Sequence, residues 1–271
     1  MVIPIHDDNP VRRTPIITYL LIALNFVVFF TEPVVSQIGV GSQTVQQVCS
    51  QQAYFDKWAA IPKELVDNEP LPPHRYVLQT NAGDRACPVV NESHKKPYLS
   101  VLYSMFLHGG WLHILGNMLF LWVFGNNVED VFGRLKFLVF YVFCGYVAAY
   151  GFAFGNADET TTLVGASGAI AGVLGAYLVI FPRARVTSLI PIAIILIPLR
   201  LPAWLVLGGW FLLQWFYSSG AGVASGAGVA YLAHVFGFVA GVVVALAARR
   251  FLDLGGPRRP RLDGWRYGYS A

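Results

Sequence analysis

A serine set among small residues, Gly165-Ala166-Ser167-Gly168, and a distant histidine, His234, supply the two groups that nucleophilic catalysis needs. One is a hydroxyl that is a weak nucleophile by itself; the other is an imidazole able to take its proton. His113 and Asn117 add two side-chain N–H donors of the kind that hold a developing oxyanion. Their i, i+4 spacing places both on one helix face, about one turn apart, so both can act on one atom. Taken singly, each residue has a plainer explanation. Asn and His in membrane helices commonly hydrogen-bond to a neighbouring helix, and Gly-Ser pairs commonly serve tight packing. Their coincidence points to chemistry, and all four lie in stretches apolar enough to cross a membrane.

Composition sets the elements that must position these groups. Hydrophobic residues make up 55% of the chain and charged residues 13%, and the mean hydropathy is +0.54. Such values are those of a membrane protein. A helix needs about 20 mostly apolar residues to cross the hydrocarbon. Six stretches qualify, starting near Ile16, Trp111, Leu135, Gly165, Pro202 and Tyr231. The expected fold is therefore all-α, a polytopic bundle of six transmembrane helices. The run Leu189 to Leu199 is also apolar, but Pro191 and Pro198 interrupt it, and it reads as a re-entrant or interfacial segment.

Orientation follows from basic residues near the span ends. Arg12, Arg13, Arg134, Lys136, Arg183, Arg185, Arg200, Arg249 and Arg250 all fall on one side of a six-span arrangement. That side is expected to be the cytoplasm, with both termini there. Met1 to Pro15 is polar and leads into a span without a small-residue cleavage pattern, so the first span reads as retained. The organisation expected is a cytoplasmic segment 1–15, a membrane domain 16–250 and a basic tail 251–271. The formal net charge of +4 reflects those cytoplasmic ends, and Arg258, Arg259 and Arg261 suit anionic headgroups. The partner this implies is the lipid bilayer, and no nucleic acid is implied.

Between the first two spans an outer loop runs over about 36–97, with Pro62, Pro70, Pro72 and Pro73 breaking regular helix. Loops of that length commonly carry a function or are disordered. Within it, residues 53–66 mix Phe55, Trp58, Ile61 and Leu65 with charged residues. The pattern suits either an interfacial element or a small packed subdomain. Cys49 and Cys87 both lie in this loop, where an outside location permits a disulfide between them. Cys144, in the third span, reads as a small buried hydrophobe.

Topology makes a further demand. With the amino terminus inside, spans two, four and six all run inward, and His113, Asn117, Ser167 and His234 all come early in those spans. They share one outer layer. Span four continues through Ala169, Ala171, Gly172, Gly175 and Ala176, and span six carries Gly237 and Gly241. Such small-residue faces let two backbones approach closely, and a serine on one helix meets a histidine on another only if they do.

With these residues in view, the chain resembles the rhomboid family of intramembrane serine proteases. The resemblance rests on Gly165-Ala166-Ser167-Gly168, on His113-Ile114-Leu115-Gly116-Asn117, and on Ala233-His234-Val235-Phe236-Gly237 with Gly241. The stretch from His108-Gly109-Gly110-Trp111 to Asn126-Asn127-Val128-Glu129-Asp130 is similar to the bacterial six-span branch. The resemblance covers all six expected spans. It implies Ser167 as nucleophile, His234 as general base, and His113 and Asn117 as oxyanion donors, with no cofactor or metal. His108 also matches a family histidine. It further implies transmembrane proteins as substrates, entering beside span five, with residues 218–228 as a cap. The chain departs from the best-known bacterial members at Ala171, where an aromatic residue stacking on the histidine is expected, and in its long cysteine-bearing loop.

The chemistry can be stated from the residues alone. Ser167 attacks a peptide carbonyl as His234 takes its proton; an acyl-enzyme forms and water hydrolyses it. No carboxylate lies where it could orient His234. Glu129 and Asp130 belong to the cytoplasmic side, and Asp158 and Glu159 lie above the membrane, so the expected unit is a Ser-His dyad. Other intramembrane chemistries lack their residues: H-E-x-x-H is absent, no span carries a central carboxylate, and Ser167 is not in G-x-S-x-G. The alternative is a non-catalytic rhomboid-like protein that binds transmembrane helices. The compact six-span form favours a bacterial plasma membrane.

Overall fold

The structure, a computed structural model, describes residues 3–33, 44–79, 83–192, 195–220 and 229–249. Strand β1 (Ile3–Asp7) precedes α1 (Ile16–Phe29), and a second region holds α2 (Val45–Trp58), α3 (Pro62–Asp67), β2 (Val77–Leu78), β3 (Arg85–Ala86) and α4 (Pro97–Ser104). Helix α5 (Trp111–Phe120) passes through a π-helical turn (Leu121–Gly125) into α6 (Asn126–Phe132), followed by α7 (Arg134–Gly155) and α8 (Ser167–Ile180). Strands β4 (Arg185–Ile192) and β5 (Ile195–Pro202) lead to α9 (Ala203–Ser218) and α10 (Tyr231–Ala248). The first residues of the expected outer loop up to 43, most of the expected cap (221–228) and the basic tail 251–271 lie outside the described residues.

Helix α8 is the axis of the bundle, buried at every position from Ala169 to Tyr177. Two glycines of α10 explain how closely it is approached. A methyl group at Gly237 or Gly241 would land on the carbonyl oxygen of Gly168 or Gly172 in α8, so these backbones touch only because neither carries a side chain. Around this seam Phe124, Phe137, Tyr141, Leu174 and Leu207 are buried. The outer faces are apolar as well: Leu112, Leu135, Phe154 and Leu212 are largely exposed. An apolar exterior over an apolar core is the pattern of a lipid-solvated bundle. Helices α7 and α10 are long and apolar enough to cross a membrane on that measure alone, whereas α1 and α8 are shorter apolar helices.

The fold is mostly helical rather than all-α. The run expected as a re-entrant or interfacial segment is instead an antiparallel hairpin of β4 and β5, to which β1 adds in the order β1-β4-β5. Pro191 and Pro198 deny the run a helix, and the β-branched Val186, Thr187, Ile190 and Ile197 favour strand. Strand β1 is held to the bundle by Asp7, which accepts hydrogen bonds from Asn127 Nδ2 at 2.8 Å and the Tyr177 hydroxyl at 2.6 Å.

Of the two readings open for residues 53–66, the packed one matches the structure: Phe55, Ile61 and Leu65 turn inward. Helix α2 starts at a capping box between Thr44 and Gln47 and is tied to the region after β3 by the Cys49–Cys87 disulfide. Below it Lys95 and Glu64 form a buried ion pair at 2.6 Å, and the Tyr76 hydroxyl donates to Asp56 at 2.8 Å. Burial pulls the Lys95 ammonium below its ordinary value, against the opposing pull of Glu64.

Candidate active site

Ser167 is the first residue of α8, and the turn that delivers it needs glycine. Gly165 has φ +121°, and a methyl there would sit 2.6 Å from His113 Nε2. Because α8 begins here, the Ser167 N–H is one of the helix's first amides, which have no acceptor within the helix and carry its positive dipole end. His234 lies in the first turn of α10. The seam at Gly237, one turn on, brings its Nε2 to 2.8 Å from Ser167 Oγ.

The other two expected residues lie on α5, on the far side of Gly165. Gly165 is packed against both His113 Nε2 and Asn117 Nδ2, the latter 3.5 Å from where a methyl would be. His113 Nδ1 accepts from the Gly109 N–H at 3.4 Å, which leaves the ring proton on Nε2, facing Gly165. Asn117 Nδ2 is buried and makes no hydrogen bond among the described residues. Both side-chain nitrogens thus lie against Gly165, two residues before Ser167. His108 stacks edge-on against His113 with ring centroids 5.0 Å apart.

Four further residues support the site and were not found by sequence reasoning. Gln214 of α9 places Oε1 2.8 Å from His234 Nδ1. Trp210, one turn earlier, lies 5.9 Å from the imidazole at 32°, so α9 supplies the aromatic neighbour that Ala171 of α8 does not. A lone amide in an apolar span was the available signal for Gln214. Ser104, the last residue of α4, accepts the Gly165 N–H on its carbonyl at 2.9 Å and the Ala60 N–H on its hydroxyl at 2.6 Å. Ala60 in turn accepts from Leu163 at 2.7 Å, so the region around α2 and α3 is hydrogen-bonded to the segment that delivers Ser167. Glu32, just past α1, accepts the His108 N–H on both oxygens at 3.2 Å. Burial pushes its carboxyl up to about 7, against the lowering effect of that hydrogen bond. Glu129 caps α1 by accepting from the Ile17 and Thr18 amides and the Thr18 hydroxyl.

Residues 95–251 match the model of the Rhomboid domain, more than half of the chain. The chain belongs to the rhomboid family. Relatives of this rhomboid protein include RHOMBOID-like protein 5 of Arabidopsis thaliana, 35% identical over 78 residues, which are 29% of this chain and 25% of that one. Presenilin-associated rhomboid-like protein A, mitochondrial, of Danio rerio is 31% identical over 97 residues, 35% of this chain and 25% of the relative. YdcA of Bacillus subtilis is 34% identical over 78 residues, 29% of this chain and 39% of the relative. The rhomboid chain thus spans well under half the length of these relatives. Among the described residues no group of His, Cys, Asp and Glu side chains could hold a metal ion.

Proposed function

We propose that this rhomboid protein is an intramembrane serine endopeptidase that hydrolyses transmembrane proteins near the outer face of the membrane. The observation that carries the reading is the 2.8 Å contact between His234 Nε2 and Ser167 Oγ, made across two helices in apolar surroundings. In this reading His234 takes the hydroxyl proton as Oγ attacks a peptide carbonyl. The oxyanion is held by His113 Nε2–H, Asn117 Nδ2–H and the Ser167 amide. His234 then gives the proton to the leaving amine, and a water molecule, deprotonated by the same imidazole, releases the acyl group. Donors set before charge develops need little reorganisation, which is what makes such a site effective.

The membrane arrangement we infer has six spans: α1, α5 with α6, α7, α8, α9 and α10, with both termini cytoplasmic. Helix α8 has 14 residues, about 21 Å of rise at 1.5 Å per residue, against a hydrocarbon core of about 30 Å. A short α8 beginning at Ser167 supports a nucleophile below the membrane surface, reached through a water-filled cavity. The Cys49–Cys87 disulfide supports an outward, oxidising side for α2, as a bacterial plasma membrane offers.

A fluorophosphonate probe tests the assignment without a substrate. Wild-type protein in detergent should label, Ser167→Ala should not, and His234→Ala should label far more slowly. Labelling that persists in Ser167→Ala rejects this nucleophile. A wild type that does not label, beside a serine hydrolase that does, favours the non-catalytic helix-binding reading.

A further inference from the structure

Resting on the protease reading, we propose that Gln214 is the positioning residue of the catalytic base, so that the unit is Ser167-His234-Gln214, with α9 holding the imidazole for α8 and α10. Gln214 is buried in a helix whose other central residues are apolar, and Oε1 lies 2.8 Å from Nδ1. A neutral imidazole carries one proton. For Nε2 to receive the Ser167 proton, that one must be on Nδ1, and an amide oxygen facing Nδ1 can only accept. The amide oxygen therefore selects the tautomer in which Nε2 is a base.

The same bond strengthens when chemistry begins. Once His234 has taken the Ser167 proton, the Nδ1–H is a charged donor, and a charge-assisted bond is roughly twice as strong as a neutral one. An amide achieves this without burying a second full charge among apolar helices. Orientation is fixed from both sides: Trp210 of α9, one turn before Gln214, lies 5.9 Å from the imidazole at 32°, and Tyr231 of α10 meets it edge-on with centroids 6.4 Å apart. Ala171 leaves α8 without any such contact. Among the described residues, the groups able to titrate near His234 are His113 on α5, Tyr231 on α10 and Tyr217 on α9, which packs on Tyr231. Among the described residues no carboxylate pairs with the imidazole.

The test compares wild type, Gln214→Leu, Gln214→Glu and Ser167→Ala in liposomes holding a model transmembrane substrate, with fluorophosphonate labelling and thermal unfolding alongside. Gln214→Leu should lower kcat by about 10-fold to 10²-fold, the order of a general-base contribution, with KM within about 2-fold because substrate contacts are untouched. Gln214→Glu should restore activity and move the acid limb of the pH–rate profile to higher pH, since a carboxylate stabilises the imidazolium that must lose its proton to act as base. A purely structural glutamine would not move that limb. Gln214→Leu at the wild-type rate, or a Gln214→Glu profile with its acid limb unmoved, overturns the proposal while Ser167→Ala inactivity leaves the protease reading standing. Cleavage by Ser167→Ala at the wild-type rate removes both.

Discussion

Gly237 offers the sharpest test of how packing serves chemistry. A methyl at this position in α10 would lie on the Gly168 carbonyl oxygen and 3.0 Å from its carbonyl carbon. Ordinary contact distances are about 3.5–4.0 Å, so α8 and α10 would have to part by roughly 1 Å. Both partners are backbone and cannot swing aside. The Ser167–His234 contact spans the same two helices one turn away, and the same shift would take it from 2.8 Å to beyond hydrogen-bond reach. A displacement of this size at a reacting pair costs about 10²-fold. Overpacking should also cost about 1–3 kcal/mol of stability. Gly237→Ala is therefore expected to lower kcat on a reconstituted substrate, and the rate of fluorophosphonate labelling, by about two orders of magnitude. Its unfolding midpoint in detergent should fall. Gly208→Ala is the control: it is also a helical glycine, but a methyl there meets nothing within 4 Å. It should keep full activity and be at least as stable, since alanine favours helix by about 0.8–1 kcal/mol over glycine. Wild-type turnover and midpoint in Gly237→Ala would refute the claim that this backbone seam sets the catalytic distance.

Other outcomes follow from residues around the site. Ser104→Ala leaves the fully buried Ala60 N–H without its acceptor and should cost about 1–3 kcal/mol, read as a lower unfolding midpoint with slower labelling of Ser167. Glu32 is raised to about 7 by burial, so the native state binds its proton more tightly than the unfolded chain does. Stability should fall as pH rises from the ordinary carboxylate range through about 7 and be flat above, and Glu32→Gln should remove that slope in midpoints measured across pH. Reducing Cys49–Cys87, which are 38 residues apart, frees a loop whose closure is worth about 4 kcal/mol in the chain-entropy account. Reductant should therefore lower the unfolding midpoint, and a Cys49→Ser, Cys87→Ser double variant should show the lower midpoint without it.

The helix starts near Ile16, Trp111, Leu135, Tyr231 and Gly165 were legible because prolines, glycines and charged residues bound each apolar run, and the structure begins its helices within two residues of each. The residues of the candidate site stand out as polar exceptions inside those runs. The hairpin β4–β5 was not, since a short apolar run carries no period that separates strand from buried or interfacial helix, and its partner β1 lies some 180 residues away in sequence. Gln214 escaped because a carboxylate was sought as the partner of His234, whereas an amide oxygen meets the same need at lower desolvation cost. The Ala60–Ser104–Gly165 linkage arises from three separate segments, and no local pattern announces it.

The most direct measurement is cleavage of a transmembrane substrate in liposomes by wild type, Ser167→Ala and His234→Ala, followed by mass analysis of the products. The account predicts one cut near the outer end of the substrate helix in wild type and losses of at least about 10³-fold in both variants. Cleavage by either variant at the wild-type rate would contradict it.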